Sequence, residues 1–412
     1  MGTGETRAFR AGAAAALLLA GLAAPAAHAE SCLEQAGAAV EPASAAKTTY
    51  VFDADRRAVN AAGVLWRDAG HHAIRLRGGT SACWSGGAIQ GPYPEDAVYE
   101  CAFEHGYRGG PCWNFHTTAG IAPEVAAPET VIEDLLVSDY GDGVSLEAAS
   151  GAVIVRRAYL RDLHDDAVEN DFAAAVTVAD SLIERAFMAF ASRPRSRHPI
   201  DQRGNVFTIR GNLVLLHRFT HAYKGRPGHG GFFKWPQNGS GPRFAVTDNV
   251  FVMDDPGRGQ LTLPLANQVA ECRNNKLLWA GTAGAYRAWL AEDGEHSDGL
   301  RSNRARLKAL GSCYAVVVKP AGQSKAAFLA EHWDPLVARW KAANPAGRAA
   351  LQAGPSQAPA GAGSDSTGSS SSSQASRKRA RRPEGSSRST VTSPLRSIRS
   401  KPAAMEPATP SR

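Results

Sequence analysis

The chain has 412 residues, 43% of them hydrophobic, and a formal net charge of +7. That surplus lies outside the body of the chain: residues 351–412 contain ten Lys and Arg against three Asp and Glu, while residues 30–350 carry a net charge of −1. A near-neutral body lacks the basic surface of a nucleic-acid-binding domain, so nucleic acid is excluded as its expected partner.

Residues 1–29 have the three parts of a secretory signal peptide. Arg7 and Arg10 precede the apolar run AGAAAALLLAGLAAPAA, which continues into the small-x-small sequence Ala27-His28-Ala29. The run falls short of the roughly 20 strongly apolar residues of a membrane-spanning helix, and no later segment approaches that length. We therefore predict cleavage after Ala29 and a secreted or periplasmic protein with no transmembrane segment.

If the protein is exported, its six cysteines are expected to form disulfides, because an oxidising compartment favours them and an even number permits full pairing. They are Cys32, Cys83, Cys101, Cys112, Cys272 and Cys313. Their spacing contains no CxxC pair and therefore does not fit a zinc site. The sequence predicts disulfides and leaves their connectivity open.

Three similar segments follow one another at a spacing of 23 residues: TVIEDLLVSDYGDGVSL from 130, VIVRRAYLRDLHDDAVE from 153 and VTVADSLIERAFMAFAS from 176. The equivalent positions are Val131, Ile154 and Thr177, then Ile132, Val155 and Val178, then Val137, Leu160 and Ile183. Short strands repeated at such intervals cannot each bury a face alone, whereas stacked coils bury a continuous core.

The pattern returns with longer excursions in FTIRGNLVLL from 207, FAVTDNVFVM from 244 and CRNNKLLW from 272. Asn212, Asn249 and Asn275 occupy one position in these copies, and we expect their amides to form a ladder along the stack. A leucine-rich repeat would show a fixed leucine consensus, and a propeller blade would be about twice as long. The prediction is an all-β, single-stranded parallel β-helix, or solenoid, over residues 30–280.

Several short motifs within the coils carry a family resemblance. CWSGG at 83–87, DGV at 142–144 and HDDAVEND at 164–171 resemble an uncharacterised group of exported bacterial β-helix proteins in the pectate-lyase-like superfamily. The resemblance covers about Tyr50 to Gly281 and implies a right-handed β-helix. The superfamily includes lyases, hydrolases and epimerases, so the resemblance is specific for the fold and not for an activity.

The pattern changes after the coils. Residues 281–350 combine helix formers with apolar residues at helical spacing, among them Phe328, Trp333 and Trp340. We predict a C-terminal helical element that caps the open end of the stack, with its tryptophans in the core. Residues 351–412 are rich in Ser, Arg and Pro and have too few apolar residues to fold, so a disordered tail is predicted there.

The segment LHDDAVENDF at 163–172 concentrates acidic residues within one coil. A step of 23 residues places Asp142 beside Asp165 of the next coil, and Asp139 beside Asp162. A slip of one residue instead places Asp142 beside Asp166 and aligns Val144 with Val168. The sequence leaves this register open, but in both cases the carboxylates collect along one edge, with Glu169 and Asp171 near.

Three interpretations fit these acidic residues. Ca²⁺ suits carboxylates on adjacent coils, and the resemblance implies that such a site holds an acidic sugar while an Arg or Lys removes a proton. Two carboxylates about 6.5–9.5 Å apart would instead suit an inverting glycoside hydrolase. In the third interpretation the acids are structural, because Asp and Asn serve turns, and the arginines that would pair with the rest are Arg156, Arg157, Arg161 and Arg185.

Two short motifs allow a direct comparison with the polygalacturonases. His164-Asp165-Asp166-Ala167 resembles their Gly-Asp-Asp-Cys, and Gly228-His229-Gly230 resembles their Gly-His-Gly. The histidine here is more than one coil away from the acids, and the family's Asn-Thr-Asp and Arg-Ile-Lys motifs are missing. Direct membership in that family is not predicted.

The sequence thus predicts an exported polysaccharide-active protein whose partner is a polysaccharide or surface glycan, with a lyase on a uronate-containing polymer as the preferred activity. The alternatives are a non-catalytic glycan- or calcium-binding or structural β-helix and an inverting glycoside hydrolase. The catalytic candidates are His164, Asp165, Asp166, Glu169 and Arg193. The substrate-binding candidates are Lys224, His229 and Trp235. The candidate Ca²⁺ ligands are Asp142, Asp165 and Asp166.

Overall fold

The computed structural model describes residues 30–35, 40–42, 50–67, 71–92, 118–124, 129–146, 151–172, 174–192, 201–218, 229–236, 238–254, 256, 261–292 and 297–344. All of these lie in one compact unit of the chain, Met1–Ser356. Several predictions fall outside the described residues: the signal peptide, Cys101, Cys112, Arg193, Lys224 and the tail.

The described strands stack as parallel coils, and each coil contributes strands to as many as three faces, which we name A, B and C. Face A contains β1 (Val40–Pro42), the later parts of β2 (Tyr50–Asn60) and β4 (His72–Ser85), β7 (Glu129–Glu133), β10 (Ala152–Arg156), β12 (Val176–Ala179), β14 (Val206–Arg210), β17 (Arg243–Thr247) and β19 (Val269–Arg273).

Face B follows face A in each coil. It contains β3 (Leu65–Arg67), β5 (Ala88–Gln90), β8 (Leu136–Ser138), the first parts of β11 (Tyr159–Asn170) and β13 (Leu182–Ala191), β15 (Leu213–Leu216), β18 (Val250–Met253), β20 (Asn275–Trp279) and β21 (Tyr314–Val318). Face C contains the first parts of β2 and β4, β6 (Ala119–Glu124), β9 (Asp142–Leu146), the later parts of β11 and β13, and β16 (Phe233–Lys234).

The pairings predicted from the repeat are confirmed. Ile154 lies between Val131 and Thr177 on face A, and Leu160 lies between Val137 and Ile183 on face B. Alternation within the strands explains the stacking, since Val153 and Val155 are fully buried while Ile154 between them is partly exposed. The chain is therefore a strand-rich, parallel β-solenoid, and large side chains such as Trp66, Trp84 and Phe190 fill its interior.

The bend between faces A and B recurs in every coil from β7 to β20 and explains a column of polar residues. Asp134, Arg157, Asp180, Asp248 and Asn274 adopt positive φ angles of 50–62° there, and a glycine, Gly211, takes the same place with φ 68°. This left-handed conformation favours Gly, Asn and Asp. A second bend, between faces B and C, uses Asp139, Asp162 and Arg185 with φ 52–64°.

The asparagine ladder is confirmed at the position after the first bend. The backbone N–H and side-chain Nδ2 of Asn212 both donate to Asn249 Oδ1, at 2.9 and 3.1 Å, and Asn249 repeats the pattern on Asn275. Asn212 Oδ1 in turn accepts from the backbone of Ser181, at 3.0 Å. All three asparagines are buried, so each bond replaces water at a polar bend.

Two disulfides are described, Cys32–Cys83 and Cys272–Cys313. The first fixes helix α1 (Cys32–Gln35) against face A, where Cys32, Cys83 and Val131 form a small apolar cluster. In the same segment Ser31 Oγ and the Cys32 backbone N–H donate to the buried Glu133 carboxylate, at 2.6 and 3.0 Å. The N-terminal segment therefore docks on the coils through a covalent bond and a buried acid.

The C-terminal region differs from its prediction in two respects. It contains the strand β21, which adds a further coil beside β20, among the helices α2 (Ala283–Ala291), α3 (Asn303–Leu310), α4 (Lys325–His332) and α5 (Asp334–Ala343). The helices agree with the predicted helical element, whereas the strand was not predicted; it forms because the β-branched run Val316-Val317-Val318 extends the sheet. Ser or Thr side chains cap α2, α3 and α4.

The second difference concerns where the last helices lie. Trp289 of α2 packs on Trp279 of the stack's interior, with ring centroids 5.4 Å apart. The helices α4 and α5 instead cover the outer side of face B, where Phe328, Trp333 and Val337 join a cluster with residues of several coils. Face B presents apolar residues outward, including Leu136, Leu182 and Val250, so these two helices cover a side of the stack and not its end.

Within the described part of the chain, no helix combines the length and the apolar character that a membrane span requires.

Candidate functional site

The two registers that the sequence left open both occur, one on each side of an irregularity in β11. Leu160 lies opposite Val137, a step of 23, but Val168 lies opposite Val144, a step of 24. The Asp165 backbone N–H donates to Gly141 O at 2.9 Å, which keeps the step of 23 there, so the one additional residue of β11 is accommodated between Asp165 and Val168. As a result Asp166 lies beside Asp142, and its backbone N–H donates to Asp142 Oδ1 at 3.0 Å.

The bend explains some of the acidic residues and not others. Asp139 and Asp162 have positive φ angles at the turn itself, and Arg161 and Arg185 both pair with Asp162. Arg156 and Arg157 pair with Glu133, and Arg157 also with Asp134. The structural interpretation thus accounts for the acidic residues at the two bends. Asp142, Asp165 and Asp166 lie within strands, where a turn does not require them.

These three aspartates, which we call the aspartate cluster, form a compact set of oxygen ligands. One carboxylate oxygen of each lies within 4.8 Å of the others. Asp142 and Asp166 are 1% and 0% exposed, while the Asp165 side chain is 13% exposed. The cluster is therefore a largely buried group that reaches solvent through Asp165.

Lys234 is the cation that face C places on the aspartate cluster. Its Nζ donates to Asp166 Oδ2 at 2.6 Å and lies 3.9 Å from Asp165 Oδ1. Backbone register explains the approach: Glu169, Ala191 and Lys234 are neighbours on successive coils, and the small Ala191 lies between the other two. The Lys234 side chain is 26% exposed, so its stem lies at the opening of the cluster.

The sequence gave no reason to choose Lys234 over the other polar residues of the same long excursion, His217, His221, Lys224 and His229. Lys234 lies 68 residues from Asp166, beyond an excursion whose length hides the coil repeat. The available signal was Phe232-Phe233 directly before it, because Phe233 pairs with Phe190 and so brings the following lysine onto face C.

Burial and crowding act together on the cluster. Burial raises the pKa of the Asp142 carboxyl well above its usual range, and the negative charges of Glu169, Asp165 and Asp166 add to the effect. Burial likewise raises the pKa of Asp166, against the opposing charge of Lys234. For Lys234, burial lowers the pKa, but the surrounding carboxylates outweigh it and the pKa lies well above its usual value.

One orphaned atom distinguishes the cluster from a satisfied ion pair. Asp166 Oδ1 is buried and has no hydrogen-bond partner among the described residues. A buried carboxylate oxygen left without a donor or cation costs free energy. The atom therefore marks a place where a cation, a water molecule or a proton would be stabilised.

Two further catalytic candidates flank the cluster. Glu169 is partly exposed and accepts a hydrogen bond from Ser145 Oγ at 2.8 Å. His164 is 1% exposed, with its backbone N–H bonded to Tyr140 O. Glu169 can meet a ligand from solvent, whereas the burial of His164 removes it from direct contact with a polymer.

Both His229 and Trp235, which the sequence predicts as substrate-binding residues, have buried side chains. His229 is 1% exposed, its Nδ1 lies 2.6 Å from Gly230 O, and its Nε2 lies 3.5 Å from Asp254 Oδ1. Trp235 is 8% exposed, donates from Nε1 to Pro242 O, and stacks on Phe244 at 4.3 Å. Both hold their segment against the coils. Arg193 and Lys224 lie outside the described residues.

No protein-family model matches this chain, and no curated protein or solved structure matches it either. The interpretation of the site therefore depends on its own chemistry: carboxyl oxygens in close contact, one lysine, and an opening at Asp165, Glu169 and Lys234.

Proposed function

We propose that the protein is an exported, polysaccharide-active β-helix protein of the right-handed, pectate-lyase-like kind, acting as a lyase on a uronate-containing polymer. The carrying observation is the aspartate cluster, with its oxygens within 4.8 Å of one another and its opening at Asp165. Described disulfides fit a protein of an oxidising compartment, and the excess of acid over base favours a site that takes a cation.

The donor set fits Ca²⁺. This ion binds six to eight oxygens at about 2.3–2.6 Å, so two oxygens on one ion lie at most about 5 Å apart. Asp142, Asp165 and Asp166 meet that limit. Asp166 Oδ1 has no hydrogen-bond partner among the described residues, so it is available to bind the ion. When bound, Ca²⁺ would supply positive charge that holds and polarises a uronate carboxylate.

The chain's own groups would divide the remaining work. Asp165 and Glu169 lie at the opening and would face the polymer, while the buried Asp142 and Asp166 would hold the cation from below. Elimination also needs a base for the proton beside the uronate carboxylate, and we assign that role to Arg193, the basic residue among the catalytic candidates.

The test compares secreted wild-type protein with Asp165→Asn on a panel of uronate polysaccharides, with Ca²⁺ and with a chelator. We expect a Ca²⁺-dependent rise in the near-ultraviolet absorbance of unsaturated sugar ends, lost in Asp165→Asn. Asp201→Asn is the matched control, because Asp201 forms an exposed ion pair with Arg203 away from the coils' interior. Absence of both unsaturated and reducing ends with wild-type protein would contradict the proposal.

A second candidate function, glycan or calcium binding without catalysis, is favoured by the burial of Asp142 and Asp166. Ca²⁺-dependent retention on a polysaccharide column without product release would establish it. An inverting hydrolase is less well supported, because oxygens within 4.8 Å leave less room for the attacking water than carboxyls about 6.5–9.5 Å apart. Such an enzyme would need Glu169 as one member of its pair.

A further inference from the structure

The aspartate cluster already contains a positive charge that belongs to the chain. Lys234 Nζ lies 2.6 Å from Asp166 Oδ2 and 3.9 Å from Asp165 Oδ1. An ammonium at this place interacts with the same carboxylates that a metal ion would bind. Two positive charges within a few ångströms repel each other strongly in a partly buried site. The lysine and a divalent cation therefore compete.

We infer that Lys234 is a built-in competitor for the cation: Ca²⁺ enters the aspartate cluster by displacing the Lys234 ammonium from Asp166. The inference rests on the proposed function in one respect, namely that the cluster takes a cation. It adds a regulation of that site, because the free energy of breaking the lysine contacts sets the affinity for the ion.

The geometry supports displacement over permanent closure. Asp166 is fully buried, but the Lys234 side chain is 26% exposed, so the ammonium can leave toward solvent on its flexible four-carbon stem. The strand that carries it, β16, is only two residues long. The residues on either side, Phe233 and Trp235, are held in the aromatic core, with their ring centroids 6.2 Å apart. The backbone can therefore keep its position while the Lys234 side chain rotates toward solvent.

The unpartnered oxygen points to a ligand independently of the lysine contact. Lys234 satisfies Asp166 Oδ2, whereas Oδ1 has no hydrogen-bond partner among the described residues. One ammonium supplies a single charge to a site with three aspartates and the adjacent Glu169. The lysine is thus a partial substitute for a divalent cation and leaves a binding position unused.

Displacement has a consequence for the second ligand. A Lys234 ammonium released from Asp166 lies at the opening beside Asp165, where the carboxylate of an acidic sugar can accept its hydrogen bonds. Binding of Ca²⁺ and binding of an acidic sugar should then strengthen each other by the same factor, since coupling between two binding sites is reciprocal.

The test is a calorimetric titration of the chelator-treated, full secreted chain with Ca²⁺, comparing wild type, Lys234→Gln and Lys325→Gln. Lys325 is the matched control because its Nζ pairs with Asp254 Oδ2 at the same distance, 2.6 Å, outside the cluster. We expect Lys234→Gln to raise the affinity for Ca²⁺ by about tenfold or more, a typical size for coupled sites, and Lys325→Gln to leave it unchanged. Equal affinities in all three proteins would overturn the inference.

A second measurement guards against misfolding, since removing Lys234 leaves buried carboxylates uncompensated. Thermal unfolding with and without Ca²⁺ should show a larger stabilisation by the ion in Lys234→Gln than in wild type. If Lys234→Gln unfolds at a lower temperature and Ca²⁺ restores nothing, the inference is overturned. These outcomes are separate from the polysaccharide assay: ion binding without sugar cleavage contradicts the proposed lyase and leaves the competition intact.

Discussion

Asp142 carries a carboxyl that water barely reaches, in contact with other acids. Its 1% exposure and the charges of Glu169, Asp165 and Asp166 favour the protonated form and raise its pKa. For an acid whose pKa is higher in the folded than in the unfolded protein, the stabilisation is complete below the unfolded value and is lost as the pH rises through the folded value. A rise in pH above the ordinary aspartate range should therefore weaken the fold at this residue.

Asp142→Asn tests this directly, because the amide keeps the shape, still accepts from the Asp166 backbone N–H, and cannot ionise. In chelator, we expect the wild-type free energy of unfolding to fall as the pH rises above the ordinary aspartate range, and the variant to show a shallower fall. Urea unfolding at a series of pH values measures both slopes. Asp201→Asn is the control: Asp201 is exposed and its pKa is lowered to about 2 by Arg203. Parallel slopes for wild type and Asp142→Asn would refute the assignment.

At the residue scale, the sequence predicted that the acidic residues lie close together, but not which of them serve the turns and which form the aspartate cluster. The 23-residue step placed Asp142 near Asp165 and Asp166, whichever of the two registers applied. Neither register holds throughout, because β11 accommodates one extra residue between Asp165 and Val168, and a regular repeat does not locate such an irregularity. Lys234 and Trp235 show what the sequence did not predict, namely which side chain of this segment faces the site. The two are adjacent in sequence, but Lys234 contacts the aspartate cluster whereas Trp235 packs on Phe244 in the interior.

At the scale of the elements, the asparagine ladder links successive coils by hydrogen bonds between side chains. Asn249 accepts from Asn212 twice and donates from Nδ2 to Ile209 O and Asn275 Oδ1, all within the buried bend. Its removal would leave a buried backbone N–H and a buried carbonyl without partners, since an alanine offers neither donor nor acceptor.

We expect Asn249→Ala to lower the free energy of unfolding by about 3 kcal/mol, from the usual cost of two unsatisfied buried groups. Equilibrium urea unfolding provides the value. Asn238→Ala is the comparison, because Asn238 bonds Ser240 in an exposed turn and should cost less than about 1 kcal/mol. A similar loss in both variants would show that the ladder contributes no more than an ordinary turn.

The elements were predictable where the repeat is regular and less so beyond it. Strands from 130 to 279 follow from the 23-residue step and the recurring asparagines. The C-terminal region was predicted to be helical. Four segments there form helices, but the strand β21 lies between them. Its Val316-Val317-Val318 run was the local signal. The position of α4 and α5 on face B could not be predicted, because it depends on which coil residues face outward.

For the molecule as a whole, the Cys32–Cys83 bond joins the first described residues to the coils. The two cysteines are 51 residues apart, and closing a loop of that length stabilises a fold by about 4 kcal/mol in the chain-entropy model. We expect the double variant Cys32→Ser/Cys83→Ser to lose roughly that much free energy of unfolding. Chemical denaturation measures it, and faster hydrogen exchange at the backbone amides of positions 32 and 33 should report release of the segment. Unchanged stability would show that the contacts of Glu133 suffice alone.

The helices α4 and α5 give the stack a property that repeating coils lack. Coils that touch only their neighbours can open one at a time, beginning at an end. Trp340 donates to Asp180 O, Lys341 pairs with Glu184, and Lys325 pairs with Asp254, so one helical pair is tied to coils that β14 and β15 separate. Local opening must then break ties to more than one coil at once. The side helices should therefore make the stack more resistant to proteases, which cleave locally opened chain.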